Sequence, residues 1–277
     1  MPRLDRLSAL LEGLAPRVEV TQPAVGLSTI TVEASIGQFL HLHLIAQGQI
    51  RLRIPQVDCV TINAPAIVVC REDTPHSLEA ISAGAFQNLI CAKAFIDGPV
   101  ASLLLNEFAE PLVVLLNRTD SSLSHVISLI SSELLTPRCG QPALLDRAGD
   151  ILLIGLLRHL IAHPNSSRGL FSGLANPRIA RALVAIHAMP QGNWTLERLA
   201  EEAGMSRTGF ANAFREVMNQ PPGKYLAKIR LSIAQRSVQS GNGLKKAARD
   251  SGYASSSALS RALSRATARN LMTDSAR

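Results

Sequence analysis

Apolar and other residues alternate along Phe39–Ile54, FLHLHLIAQGQIRLRI, in two runs around Gln47-Gly48. Alternation sends successive side chains to opposite faces, so this stretch predicts two strands joined as a hairpin. The β pattern extends from about Val18 to Phe95, with further short strands at Cys59–Ile62, Ala66–Cys70 and Phe86–Phe95. Pro55, Pro65, Pro75 and Gly84 punctuate them. Short strands at close spacing without helices between them predict a small barrel or sandwich. After Pro99 the period turns helical. Val100–Glu107 predicts a short helix with Leu112–Leu116 as its apolar extension, and Ser121–Leu135 a longer helix. Pro142–His163 is apolar nearly all round, so it needs cover on more than one side: the barrel on one, and a second subunit or this chain's own core on the other. An amphipathic helix is also predicted over 3–14, and a linker over 165–176.

The pattern is sharpest between Leu196 and Arg215, LERLAEEAGMSRTGFANAFR. It reads as a helix-turn-helix. Ala200 is small where the second helix crosses, Gly204 supplies the φ > 0 of a tight turn, and Met205 and Phe210 fill the angle. Ser206 is placed to cap the second helix. Ser206, Arg207, Thr208, Asn212 and Arg215 then face outward as the polar set a major groove would meet. Arg207 has the fork for guanine and Asn212 the amide for adenine. Pro222–Ser240 predicts a linking helix roughly 28 Å long. LKKAARDSGYASSSALSRAL repeats the first logic, with Ala248 small, Gly252 at the turn, and Ser255 or Ser256 starting a second recognition helix. Arg261 and Arg265 take the matching outward positions, while Lys224, Lys228 and Arg230 read as phosphate contacts or surface charge.

Charge supports this division. From Pro177 onward 16 Lys and Arg stand against 6 Asp and Glu, a net +10; residues 1–176 carry 12 against 15, a net −3. A basic domain joined to a mildly acidic one fits a polyanion binder attached to something else. No run of about 18 apolar residues is free of charge, so no membrane-spanning helix is expected. The N-terminal segment lacks the apolar core and cleavage site of a signal peptide, and Cys59, Cys70, Cys91 and Cys139 have no close pairing; reduced thiols in the cytoplasm are the expectation.

Three segments, LAEEAGMSRTGFANAFR, PPGKYLAKIRLSIAQ and ARDSGYASSSALSRAL, in this order, resemble the AraC/XylS transcription regulators over about Pro177–Arg269. The resemblance implies two helix-turn-helix subdomains joined by a helix, binding double-stranded operator DNA as a homodimer, with RNA polymerase as a further partner. Leu259 and Leu263 stand where that family usually places aromatic residues, and the closing glycine-and-proline element is missing. The second motif is therefore expected to be the less stable and less specific. FLHLHLIAQG, IRLRIP and DTPHSL resemble the cupin-like domain of some of these regulators. The implied fold is α+β: a cupin-like sensor barrel with a helical dimerisation segment over 1–164, a linker over 165–176, and an all-α double helix-turn-helix over 177–277.

His41 and His43 alternate with Leu and so share one strand face. His76 and Cys91 lie on later strands, and in a cupin-like barrel these converge inside. His41, His43, His76 and Cys91 are the candidate effector site. His43, His76 and Cys91 are also a candidate ligand set for zinc, copper or iron. Gln47 replaces the usual cupin carboxylate, and Asp73 stands where the motif has glycine, so an organic effector or an oxidant acting at Cys91 stays open beside a metal. The sequence reads as a regulator rather than an enzyme. The alternatives are a metal-dependent cupin enzyme tethered to DNA and a co-regulator acting through protein partners.

Overall fold

The computed structural model describes residues 5–21, 26–81, 86, 89–116 and 121–274. Gly84, and residues 3 and 4 of the first predicted helix, lie outside them. The chain divides into two compact units, one of residues 15–163 and one of residues 1–14 with 164–277.

The first unit is a sandwich of two antiparallel sheets. β1 (Pro16–Thr21), β3 (Phe39–Ile45), β6 (Ala66–Arg71), β8 (Leu89–Ile96) and β9 (Leu112–Leu115) form one sheet, in the order β1-β8-β3-β6-β9. β2 (Thr29–Val32), β4 (Gln49–Arg53), β5 (Val60–Asn63) and β7 (His76–Ala80) form the other, in the order β2-β7-β4-β5. Two expectations need correcting here. The runs flanking Gln47-Gly48 do not pair as a hairpin: β3 bonds to β6 and β8, and β4 to β5 and β7. Gly48, at φ +84°, turns the chain from one sheet into the other. Leu112–Leu115 is an edge strand beside β6, not a helical extension, because a four-residue apolar run carries no period of its own.

β3 is buried along its whole length. His41, His43 and Ile45 share the face whose core holds Ile45, Val68, Cys70 and Leu78. The opposite face, with Leu40, Leu42 and Leu44, belongs to the side on which Val18 meets α4 (Gln141–Ala162). A short helix α2 (Ala101–Leu105) and a 3₁₀ turn precede β9, and α3 (Ser121–Leu135) packs on α4. Two glycines let α4 approach both neighbours. A Cβ on Gly149 would lie 2.8 Å from Val18 Cγ1, and one on Gly155 2.7 Å from Leu123 Cδ2. The sheet and α3 thus cover α4 from two sides within one chain. Ile151 on α4, and Leu129 and Leu135 on α3, stay exposed at 53%, 41% and 72%.

The second unit is helical. α1 (Arg6–Leu14) packs on α6 (Pro177–Ala188), with Arg6 donating to the carbonyl of Leu174 at 3.0 Å. The segment expected as linker contains α5 (Leu170–Ala175). α7 (Leu196–Ala203) and α8 (Arg207–Met218) form the first helix-turn-helix, α9 (Pro222–Gln239) links, and α10 (Leu244–Ser251) and α11 (Ser256–Asp274) form the second. Phe210, Phe214, Met218, Tyr225 and Ile229 build the first motif's core. The second motif has mainly Ala234, Ala247, Ala248 and Leu259, with Tyr253 and Leu263 partly buried against them. Alanine buries little apolar area, so the second core is the thinner one.

Candidate DNA interface and sensor cavity

The first helix-turn-helix is assembled by local rules. Thr195 caps α7, its hydroxyl accepting from the amide of Arg198 at 3.2 Å. Gly204 ends α7 at φ +64°, in the left-handed region that costs other residues strain. Ser206 Oγ then accepts from the amide of Gly209 at 3.2 Å and starts α8. Phe210 and Phe214 are fully buried and tilt against each other with centroids 5.5 Å apart. Burial of that face leaves Ser206, Arg207, Thr208, Asn212 and Arg215 all exposed. Thr208, Asn212 and Arg215 follow an i, i+4, i+7 spacing and share one helix face. Arg207 Nε lies 3.1 Å from Glu197 Oε1 of α7. Both groups are exposed, so the pair is weak. No local pattern in the sequence marks Glu197 for this contact, because its partner is reached only across the turn.

In the second motif Gly252 stands at φ +78° and Ser255 Oγ accepts from the amide of Ala258 at 3.1 Å, so Ser255 is the cap and Ser256 the first residue of α11. Ser255, Ser256, Arg261 and Arg265 are exposed. Arg265 Nε donates to the carbonyl of Arg261 at 3.2 Å. Arg230 departs from its reading as a phosphate contact or surface charge: its guanidinium donates inward to two backbone carbonyls.

Inside the sandwich, His43 of β3 lies opposite Cys91 of β8, and His76 reaches in from the other sheet. His43 Nδ1 is 3.2 Å from Cys91 Sγ, His43 Nε2 is 2.8 Å from His76 Nε2, and His76 Nδ1 is 2.8 Å from the carbonyl of Thr74. A carbonyl only accepts, so His76 carries its proton on Nδ1 and its Nε2 is an acceptor. His43 therefore carries its proton on Nε2, and its Nδ1 accepts from the Cys91 thiol. The result is one directed chain, from Cys91 S–H through His43 and His76 to the carbonyl of Thr74. Burial keeps its members uncharged. The pKa of His43 is lowered to about 3, and that of His76 is also lowered, while the Cys91 thiol is pushed up to about 12. His41 is lowered to about 4 by burial, then by His76 and by the Lys93 charge. Its Nε2 is buried and lacks a partner among the described residues. His41, His43 and Cys91 line a cavity of about 430 Å³, together with Leu27, Ile30, Val32 and Lys93.

The three predicted metal ligands come together but do not converge. Cys91 and His76 sit at opposite nitrogens of the His43 ring, and one ion can use only one of those nitrogens. Among the described residues, no group of three His, Cys, Asp or Glu could hold a metal ion. The donor set as placed does not fit one.

Two family models match the chain. A family model described as Cupin matches residues 5–162, more than half the chain, and one described as a Helix-turn-helix domain matches residues 199–272. An HTH-type transcriptional regulator of Haemophilus influenzae is 34% identical over 119 residues, 43% of this chain and 40% of its own length. The HTH-type transcriptional regulator AlkR of Acinetobacter baylyi is 29% identical over 69% of this chain and 65% of its own. The RCS-specific HTH-type transcriptional activator RclR of Escherichia coli is 26% identical over 83% of this chain and 82% of its own. The chain thus spans less than half of the Haemophilus relative and most of the Escherichia one. A solved structure of ToxT from Vibrio cholerae superposes over 89% of this chain and 92% of its own at 16% identity with a TM-score of 0.35, a likeness too loose to carry an argument.

Proposed function

Since the chain belongs to the AraC-type transcription regulators with an N-terminal cupin domain, we propose that it reads an operator mainly through α8 and that a small organic effector in the sandwich cavity decides when it does so. The observation that carries the first part is the exposed set on α8, presented by a glycine turn and a serine cap. Arg207 reads guanine and Asn212 adenine, with Ser206 and Thr208 on bases or phosphates and Arg215 on phosphate. Ser255, Ser256, Arg261 and Arg265 form the second, weaker reader; its thin core supports that ranking. The regulator acts in the cytoplasm and performs no reaction of its own. It dimerises through α3 and α4, whose exposed Ile151, Leu129 and Leu135 are suited to a partner copy, and it engages RNA polymerase once seated on DNA.

The cavity supports the sensing role. His41, whose Nε2 is a buried polar atom without a partner among the described residues, lines it together with Lys93, Glu33 and the apolar Leu27, Ile30 and Val32. An organic ligand offering one polar group and an apolar body satisfies both. A ligand preferred by one arrangement of the protein shifts the population towards it. The test of DNA reading is selection from a random duplex library at fixed salt, followed by single substitutions. Arg207→Ala should cost about 1–3 kcal/mol and flatten the preference at one base pair. Arg261→Ala should cost less and leave the preference intact. Equal effects of the two would overturn the ranking, and no loss with Arg207→Ala would overturn α8 as the reader.

A further inference from the structure

Arg230 stands midway along α9, half-buried. Its Nε donates to the carbonyl of Pro190 at 2.9 Å and its Nη2 to the carbonyl of Gly192 at 2.6 Å. Both carbonyls belong to the loop that joins α6 to α7, the entry into the first helix-turn-helix. That loop is itself fixed. Trp194 Nε1 donates to the carbonyl of Met189 at 2.7 Å, and Arg198 Nη1 to that of Asn193 at 2.9 Å.

The turn of the second helix-turn-helix closes on the same point. A Cβ on Gly252 would lie 2.7 Å from Gln191 Cα, 3.1 Å from Arg230 Nε and 3.2 Å from Arg230 Cζ. One guanidinium therefore touches the entry of the first motif and the turn of the second while anchored in the helix that links them. Apolar packing does less here. The first motif holds α9 through Tyr225, which stacks edge-on with Phe214 and hydrogen-bonds His187 at 2.8 Å. The second is attached through a buried cluster of Ala234, Ala247, Ala248 and Leu259, against which Tyr253 and Leu263 pack only partly buried. Such a contact resists rotation poorly, because alanines do not interdigitate deeply.

We propose that Arg230, seated against Gly252, is a positioning residue that fixes the relative placement of α8 and α11 and so sets the half-site separation the protein accepts on DNA. This rests on the reading of both helices as DNA contacts. Lysine cannot replace it fully, since a single ammonium does not present a planar pair of donors to two carbonyls at fixed angles.

The experiment uses the full chain and a duplex selected by the wild-type protein from a random library. Further duplexes carry one or two base pairs inserted between the half-sites, or a scrambled second half-site. One inserted base pair moves the second half-site by about 3.4 Å and turns it by roughly 35°. The wild type should lose about tenfold or more in affinity on one insertion, within the range of a single mismatch. Arg230→Ala should lose less than about threefold on that insertion, and bind the scrambled duplex within about twofold of the wild type. Arg230→Lys should fall between the two, and it carries the test if Arg230→Ala does not fold as judged by Trp194 fluorescence. A wild-type spacing profile in both variants, or a loss of scrambled-duplex binding equal to the loss on the full site, would overturn the proposal. A wild type indifferent to spacing would instead overturn the two-helix reading on which it rests.

Discussion

Lowering the pH from 7 to 5 should destabilise the β-sandwich unit through His41 and His43. Burial sets their pKa values at about 4 and about 3, against an ordinary 6.5. Both are neutral in the fold, while the unfolded chain takes up a proton on each below pH 6.5. The unfolded state thus binds more protons throughout the window from 6.5 down to about 4. Stability is fully present above pH 6.5 and falls as the pH drops through that window. At pH 5 each histidine removes about 2 kcal/mol. At pH 5 both stay mostly neutral in the fold while the unfolded chain protonates each independently, so the two losses add to about 4 kcal/mol. Domains of this kind hold about 5–15 kcal/mol in all, so the loss is a sizeable fraction. The assay is urea unfolding at both pH values, followed by the far-ultraviolet signal of the strands. The midpoint should fall by about 1 M or more, given slopes of roughly 1–3 kcal/mol per molar urea. Trp194, the chain's only tryptophan, sits in the helical unit and reports that unit separately. There the half-buried His187, lowered to about 4 by desolvation, should produce a one-histidine shift of the same sign. A strand midpoint unchanged between pH 7 and 5 would refute the reasoning, as would an equal drop in a His41→Phe, His43→Phe double variant.

Two further outcomes follow from the helical unit. Phe210→Ala removes a fully buried ring between α7 and α8 and should cost about 3–5 kcal/mol, read as an earlier Trp194 transition with the strand signal unchanged. Among the described residues Gly204→Ala meets only Arg181 Nη1 at 3.5 Å, so its cost is the backbone strain of φ +64°, about 1–2 kcal/mol. Gly252→Ala should cost more than Gly204→Ala in the same thermal melt, because its Cβ would meet the Gln191 backbone at 2.7 Å as well; equal costs would show that the Gly252 junction is loosely packed.

The sequence by itself determined the helix-turn-helix half. Its signals are local: a left-handed glycine, a serine cap three residues before the amide it satisfies, and apolar residues at helical spacing. Each is decided within one or two turns of chain, so Gly204, Ser206 and Phe210 could be placed without knowing any distant contact. The alternation in β3 likewise put His41 and His43 on one face. Tertiary structure decided the rest. Alternation on either side of Gly48 is identical whether the two strands pair or part, so only the partners β6, β8, β5 and β7 show that they part. The sequence brought His43, His76 and Cys91 to one place but not their order. Two sheets carry them, 33 and 48 residues apart, and the carbonyl of Thr74 fixes which way every proton points. Arg230 shows the same limit. A guanidinium on a basic helix reads as a phosphate contact or surface charge until the fold supplies two inward carbonyls, because side-chain direction depends on what lies nearby in space, not in sequence.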